Sequence, residues 1–396
     1  MAIDILCLPD VEMLDFKVLP EEVRIRLSSS LPPPPCPECG SPLLGNGRRE
    51  ISIRDLPMHG RPTRILFGRK RFLCRSCGAF PIEPLPSWVS DGHRLTARLV
   101  EHLVERAPRE SFRRLADQTG VTEGTVRRLW KDRPGPAEPI PLTAPRLLGM
   151  DETKLCGKLR GVLTDLGSPP RLIAILDDRK SATFAGAFEG MAGKETTEAV
   201  CIDLCAAYRT LAQAHFPKAA VVADRWHVQK MANHALDEVR KAVRKDLPEA
   251  EKMPFFRQRF VLMRRRRDLD EDELALLDSW TTSSPLLGEA HRFKERFSSL
   301  WDCPTAADAK LLLADLRSGL RPGLEPFFSP MLATCGRWEA EILAAFDHDV
   351  TNAGTEGING RTKEINRLGH GYGFDVIKSK AMAAFGVPSA STPCRE

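Results

Sequence analysis

The stretch Pro145-Arg146-Leu147-Leu148-Gly149-Met150-Asp151-Glu152-Thr153 decides how the rest of the chain is read. It is a short apolar run that ends in two adjacent carboxylates. Read as a buried strand, it delivers Asp151 to the strand's carboxyl end, where an open α/β sheet gathers its ligand-binding residues. Glu152 is the next residue along an extended strand and points to the opposite face, which leaves Asp151 as the expected site residue.

Downstream, Gly161–Leu166 and Arg171–Asp177 are two further apolar runs, separated by Gly167-Ser168-Pro169-Pro170. Three strands in succession predict an antiparallel meander. A helix is expected near Ser181–Met191, a fourth strand over Ala199–Asp203, a helix over Tyr208–Phe216 and a fifth strand over Ala219–Asp224. The last two strands also end in aspartates. Three strands followed by alternating helix and strand is the order of a ribonuclease-H-like, mixed five-stranded α/β sheet. Residues 231–350 read almost wholly helical and predict an all-helical insertion. Its basic residues, Arg257, Arg259, Arg264–Arg267, Arg292, Lys294 and Arg296, leave three readings open: a DNA clamp, a subunit contact, or a solvated face balanced by the acids of 268–273. Trp280, Trp301 and Trp338 are expected as core anchors.

Upstream of the opening stretch, Arg133-Pro134-Gly135-Pro136-Ala137-Glu138-Pro139-Ile140-Pro141 cannot continue a helix, and residues 134–144 read as a linker. Before it, residues 91–133 have a helix-turn-helix layout. Leu95, Leu99, His102 and Leu103 fall at helical spacing, and Pro108 ends that helix. In the next helix Phe112, Leu115 and Ala116 face inward, Gly120 makes the turn, and Thr122 caps a last helix packed through Val126 and Leu129. The exposed side of that helix carries Glu123, Thr125, Arg127, Arg128 and Lys131, as a helix entering a major groove requires.

Residues 20–90 carry two matching knuckles, Cys36-Pro37-Glu38-Cys39-Gly40 and Cys74-Arg75-Ser76-Cys77-Gly78. Four thiolates on two tight turns predict a closed, structural zinc site. The segment between them reads as strands, Glu50–Arg54 and Thr63–Phe67. From Gly47 to Arg75 nine basic residues face only two acidic ones, a local surplus larger than the chain's whole net charge of +5. Such concentration suits a polyanion, and Arg69, Lys70 and Arg71 are the expected phosphate contacts.

Composition narrows the class. With 396 residues, 28% charged and 42% hydrophobic, the chain can bury two or three domains. No apolar run approaches the ~20 residues of a membrane span. The N-terminus lacks a basic region followed by an apolar core. Eleven cysteines without a secretory signal favour a reducing cytoplasm, here beside the nucleoid, over a disulfide framework. Cys201 and Cys205 are read as packing.

Two boxes make a resemblance specific. Asp224-Arg225-Trp226-His227-Val228-Gln229-Lys230 resembles the Asp-Arg-aromatic-His box of one large family of insertion-sequence transposases, the ISL-three type. Asn352-Ala353-Gly354-Thr355-Glu356-Gly357-Ile358-Asn359-Gly360, continuing through Lys363 and Arg367 to Gly371-Tyr372-Gly373, resembles its C-terminal box. That family joins a zinc-binding module and a helix-turn-helix to a DDE transposase domain, here residues 145–385. The resemblance implies metal-dependent DNA cleavage and strand transfer at terminal inverted repeats, by a homo-oligomer on double-stranded DNA. Three carboxylates holding two magnesium or manganese ions suit that chemistry. Asp151 and Glu356 are the expected first and third ligands. The second is Asp203 by topology, with Asp224 as the alternative and His227 as an auxiliary. The other class open to this sequence is a non-catalytic DNA-binding regulator derived from such a transposase. Beyond Lys380 the expected basic helix gives way to a segment rich in small residues and proline, from Gly386 to Pro393.

Overall fold

Alternating polar and apolar residues over Val23–Ser29 build a strand whose inner row, Val23, Ile25 and Leu27, is wholly buried. The computed structural model describes residues 6–133, 142–245, 247 and 249–386. It divides into two units, Met1–Glu138 with Glu364–Ala384, and Pro139–Lys363 with Phe385–Glu396. The proline-rich residues 134–141 of the expected linker and the tail from Val387 onward lie outside the described residues.

In the first unit β1 (Val11–Val18), β2 (Val23–Ser29), β3 (Leu44–Met58) and β4 (Arg61–Leu73) form a sheet in the order β1-β2-β4-β3. Only the β2–β4 pairing is parallel. β1 has no counterpart among the expected strands, because Met13, Leu14 and Val18 are exposed and its apolar residues mark no buried face. The β3–β4 hairpin turns at His59 and Gly60, both at positive φ, and at its far end pairs Leu44 with Leu73. That register carries the second knuckle back to the first. Three helices follow, α1 (Ala97–Arg106), α2 (Phe112–Thr119) and α3 (Glu123–Asp132). Each is capped by a hydroxyl (Thr96, Ser111, Thr122) that accepts from the N–H three residues on. Gly120 takes the left-handed conformation, φ 67°, at the turn between α2 and α3. Buried Asp55 on β3 accepts from Thr96 and Arg98, which ties the sheet to α1.

In the second unit β5 (Leu147–Leu155), β6 (Lys158–Asp165), β7 (Arg171–Ile175), β8 (Ala199–Ile202) and β9 (Ala220–Ala223) lie in the order β7-β6-β5-β8-β9. The first three are antiparallel, and β8 and β9 run parallel to β5. The mixed five-stranded α/β sheet is therefore as expected. α4 (Ser181–Glu189) and α5 (Ala206–His215) connect β7 to β8 and β8 to β9. Leu148 and Met150 enter the large core with Phe184, Phe188 and Phe216. β5 differs from its expected form in one respect: it runs four residues past Asp151, paired with β6 to Leu155, whereas its pairing with β8 stops at Met150 and Ile202. Asp151 is thus the first residue of β5 beyond its parallel partner.

Helices fill the expected insertion: α6 (Arg225–Lys245), α7 (Glu249–Arg257), α8 (Phe260–Met263), α9 (Glu271–Ser283), α10 (Pro285–Ser298), α11 (Ala306–Ser318), α12 (Glu325–Arg337) and α13 (Glu339–His348). Trp338 is buried, and Trp280 and Trp301 pack against the same core. Arg264, Arg265, Arg266 and Arg267 each meet a carboxylate, of Glu273, Asp302, Asp278 and Asp302 in turn. α14 (Ala353–Leu368) and α15 (Phe374–Phe385) end the described chain. No helix among the described residues is long and apolar enough to cross a membrane.

Candidate active site

The two knuckles have the same backbone bonds. Gly40 N–H donates to Cys36 O and Gly78 N–H to Cys74 O, and both glycines sit at positive φ. The turns bring Cys36 Sγ to 3.6 Å from Cys77 Sγ and Cys39 Sγ to 3.5 Å from Cys74 Sγ. All four sulfurs lie within 4.8 Å of one another. Thiolates about 2.3 Å from a tetrahedral zinc sit roughly 3.8 Å apart, so the donor set fits the metal. This is a structural zinc site, closed by four protein ligands.

On the helix-turn-helix, Thr122, Arg128 and Lys131 are exposed, and Thr125 is half-buried. Arg127 is drawn inward: it pairs with Glu123 at 3.0 Å and lies 5.5 Å from the Phe112 ring and 5.3 Å from the Tyr372 ring. In the zinc-binding module Arg69 donates to Glu83 O and Lys70 to Leu31 O, whereas Arg71 is exposed.

The carboxylates meet in the second unit. Gly149 and Asp151 share one face of β5, and α14 lies close against it. A Cβ on Gly149 would stand 2.4 Å from Thr164 Oγ1, 2.6 Å from Thr355 Oγ1 and 3.0 Å from Asn352 Oδ1. The bare glycine therefore admits a buried hydroxyl pair, Thr164 to Thr355 at 2.5 Å, that seats the first turn of α14. Asn352 Nδ2 donates to Met150 O at 3.3 Å, and two helical turns further on Asn359 Nδ2 donates to Asp151 Oδ2 at 2.8 Å. Asn352, Thr355 and Asn359 are spaced along one helical face, which also carries Glu356.

Asp224 is almost fully buried; its Oδ1 accepts from Asn352 N–H at 3.2 Å, and its Oδ2 takes the Nδ1–H of His227 at 2.9 Å. Ligand atoms of Asp224, His227 and Glu356 lie within 4.8 Å of one another. Asp203 follows β8 directly, and its Oδ1 is buried without a hydrogen-bond partner among the described residues. Burial pushes the Asp203 carboxyl up to about 6; nearby Asp151, Glu152 and Asp224 push the same way, and His227 opposes them. Burial likewise raises Asp151 and Glu356, each with Asp224 adding to the rise. His227 is raised because its ring donates to Asp224. Crowded, half-desolvated carboxylates and an unpartnered buried oxygen form a site that a divalent cation fits.

Glu152 lies on the other face and pairs with Arg179 at 3.1 Å. The glycines around Glu356 differ in role: a Cβ on Gly354 would stand 2.7 Å from Pro170, so it packs on the β6–β7 turn, whereas Gly357 faces open space. Asn352, Thr355, Asn359 and Thr164 were not anticipated as site residues. For the first three the signal was the polar row at helical spacing inside the C-terminal box; Thr164, on β6, carried none.

A zinc ribbon, a helix-turn-helix and a carboxylate-lined α/β domain in one chain are the parts of a DNA transposase. Residues 148–380 match a transposase family model of the ISL3 group. Residues 32–77 match the zinc-finger of the IS204/IS1001/IS1096/IS1165 transposases, and residues 83–133 the helix-turn-helix domain of transposase family ISL3. The chain belongs to the ISL3 transposase family, and its function is that of an insertion-sequence transposase. It is 25% identical over 347 residues to the transposase for insertion sequence element IS1001 of Bordetella parapertussis, covering 85% of each chain. A shorter likeness, 33% identity over 86 residues, is to a ribonuclease HII of Frankia alni, covering 22% of this chain and 33% of that one.

Proposed function

We propose that the second unit is a ribonuclease-H-like DDE domain that cuts DNA at the terminal inverted repeats of its element and joins the freed ends to target DNA. Asp151, Asp203 and Glu356 hold the two magnesium or manganese ions. What supports this reading is the end of the β5–β8 pairing at Met150 and Ile202, which leaves Asp151 and Asp203 each one residue beyond it, together with Glu356 on α14, which lies within electrostatic reach of Asp151. Asp203 is preferred to Asp224 because its buried Oδ1 has no hydrogen-bond partner among the described residues, whereas both oxygens of Asp224 are engaged.

Held there, the ions would supply Lewis-acid activation of the nucleophile and neutralise charge on the leaving oxygen. The chain's own residues do the rest. Asn359 orients Asp151 through Oδ2, and the Thr164–Thr355 contact fixes the height of Glu356 over the sheet. Asp224 holds Nδ1 of His227 protonated, which leaves Nε2 to exchange a proton with the attacking water or hydroxyl, or with the leaving oxygen. The zinc ribbon and α3 hold the repeats through Thr122, Thr125, Arg128, Lys131 and Arg71. Two ends have to be processed together, so the working form is a homo-oligomer on DNA, in the cytoplasm at the nucleoid. A non-catalytic regulator has no use for carboxylates gathered at the ends of adjacent strands, where burial and the charge of Asp224 raise both Asp151 and Asp203.

The test is cleavage of a duplex carrying the element's end. Asp151→Asn, Asp203→Asn and Glu356→Gln bring magnesium-dependent cutting to background with end-binding retained in a gel-shift assay. Asp224→Asn leaves measurable cutting. A cleaving Asp151→Asn variant sinks the assignment, and a dead Asp224→Asn beside an active Asp203→Asn moves the second ligand to Asp224.

A further inference from the structure

A cleft of about 870 Å³ opens directly beside the carboxylates, and Asp203 and His227 form part of its wall. α6 and α12 supply most of the rest, with Leu204, Ala206 and Arg209 around the start of α5 and Trp338 just beyond α12. Its floor is apolar and aromatic, from Met231, Phe327, Met331 and Trp338. Trp338 is buried beneath the guanidinium of Arg209, 3.6 Å away, and Arg209 is held in turn by Glu341 at 2.8 Å. The rim carries exposed Lys230 and Arg337. Neither is paired with a carboxylate among the described residues; Lys230 lies over the Trp226 ring at 4.7 Å, and Arg337 donates to Thr334 Oγ1.

We infer that this cleft receives one unpaired nucleotide of the strand being cut, immediately beside the scissile phosphate. The inference rests on the strand-cleavage reading above. The volume lies within the roughly 300–1,000 Å³ of small-molecule pockets, and its apolar, partly aromatic lining suits a base rather than a sugar. The cationic rim suits the phosphate that a base carries with it. A base still paired in a duplex cannot reach such a floor, so occupancy requires that the nucleotide leave the stack, at a cost of a few kcal/mol. Continuity with Asp203 and His227 fixes which nucleotide this is: one flanking the phosphate under attack.

The experiment uses the full chain and duplexes of the element's end, with an abasic residue placed in turn at each position flanking the cut. Met231→Trp fills the floor and lowers magnesium-dependent cleavage of the intact end at least tenfold. An abasic residue at one flanking position, and only there, restores the variant's rate to near that of the wild-type protein. Arg337→Glu, on the exposed rim, raises KM several-fold with the Tm unchanged, which keeps the inference testable should Met231→Trp melt early. Wild-type rates for Met231→Trp, a defect that no abasic position relieves, or an unchanged KM in Arg337→Glu each overturn it. If the wild-type protein cuts none of these duplexes with magnesium, the strand-cleavage reading fails instead.

Discussion

Gly149 is the smallest residue of the opening stretch, and the position of Glu356 depends on it. Its hydrogen is what lets Thr355 approach Thr164, and Glu356 follows Thr355 in the same helical turn. Gly149→Ala forces the new methyl against two buried hydroxyls on opposite elements, and neither is the end of a flexible side chain. Overpacking of this kind costs about 1–3 kcal/mol, and a shift of a catalytic group by about 1 Å costs ~100-fold in rate. We expect Gly149→Ala to lower Tm by a few degrees and cleavage by about two orders of magnitude, measured well below the Tm so that unfolding does not contribute. A variant with the lower Tm but the wild-type rate would show that α14 does not set the carboxylate. Asp151 itself was legible, since an apolar run ending in a carboxylate says where that carboxylate goes. Thr355 and Asn359 were not, because their partners, Thr164 and Asp151, lie about 200 residues away and the spacing says only that they share a helical face.

The helix-turn-helix owes part of its order to an element far along the chain. Tyr372 Oη accepts from the Phe112 N–H at 2.7 Å, a first-turn donor of α2 that has no partner within its own helix. Lys380 on α15 donates to Glu110 O at 2.8 Å and stands 4.2 Å over the Phe112 ring. Burial, with Arg127 adding repulsion, holds the Lys380 ammonium down to about 8. Below that pH both the folded and the unfolded chain are protonated, and folding bears the full penalty of a buried charge. As pH rises from about 8 towards the ordinary 10.5, the folded chain releases its proton before the unfolded chain does, and stability increases. The expected outcome is that urea midpoints of the wild-type protein rise relative to those of Lys380→Met across this window. Parallel curves would remove the buried charge from the account. The zinc ribbon, the helix-turn-helix and four of the five catalytic strands could be read from spacing, caps and apolar runs, because those patterns are local. β5 was read too short, since its last four residues alternate and are held by β6 alone. The bracing of α2 by Tyr372 was invisible, because Gly371-Tyr372-Gly373 reads locally as no more than a turn.

At the scale of the whole molecule, the charge arithmetic separates cations already engaged from those left for DNA. The chain has 58 lysines and arginines against 53 acids, and much of the apparent surplus is committed. Glu22 takes Arg24, Arg54 and Arg64 together, and Arg264–Arg267 are matched by three carboxylates. The basic run of 47–75 therefore counts for less than its composition implies. Arg48, Arg49, Arg71 and Arg75 of that run, and Arg128 and Lys131 on α3, remain exposed and are among the cations open to phosphate contacts in the first unit. Each phosphate neutralised adds about 0.9 to the slope of log K against log salt. Replacing Arg128 and Lys131 by alanine is expected to reduce that slope by nearly two for the element's end and for unrelated duplexes alike, in equilibrium binding between low and physiological salt. Replacing Arg264 and Arg266 in the insertion should leave it unchanged, because their charges are spent on Glu273 and Asp278. Equal slope losses in the two double variants would mean that the insertion's ion pairs open to grip DNA, and the insertion would then belong to the binding surface after all.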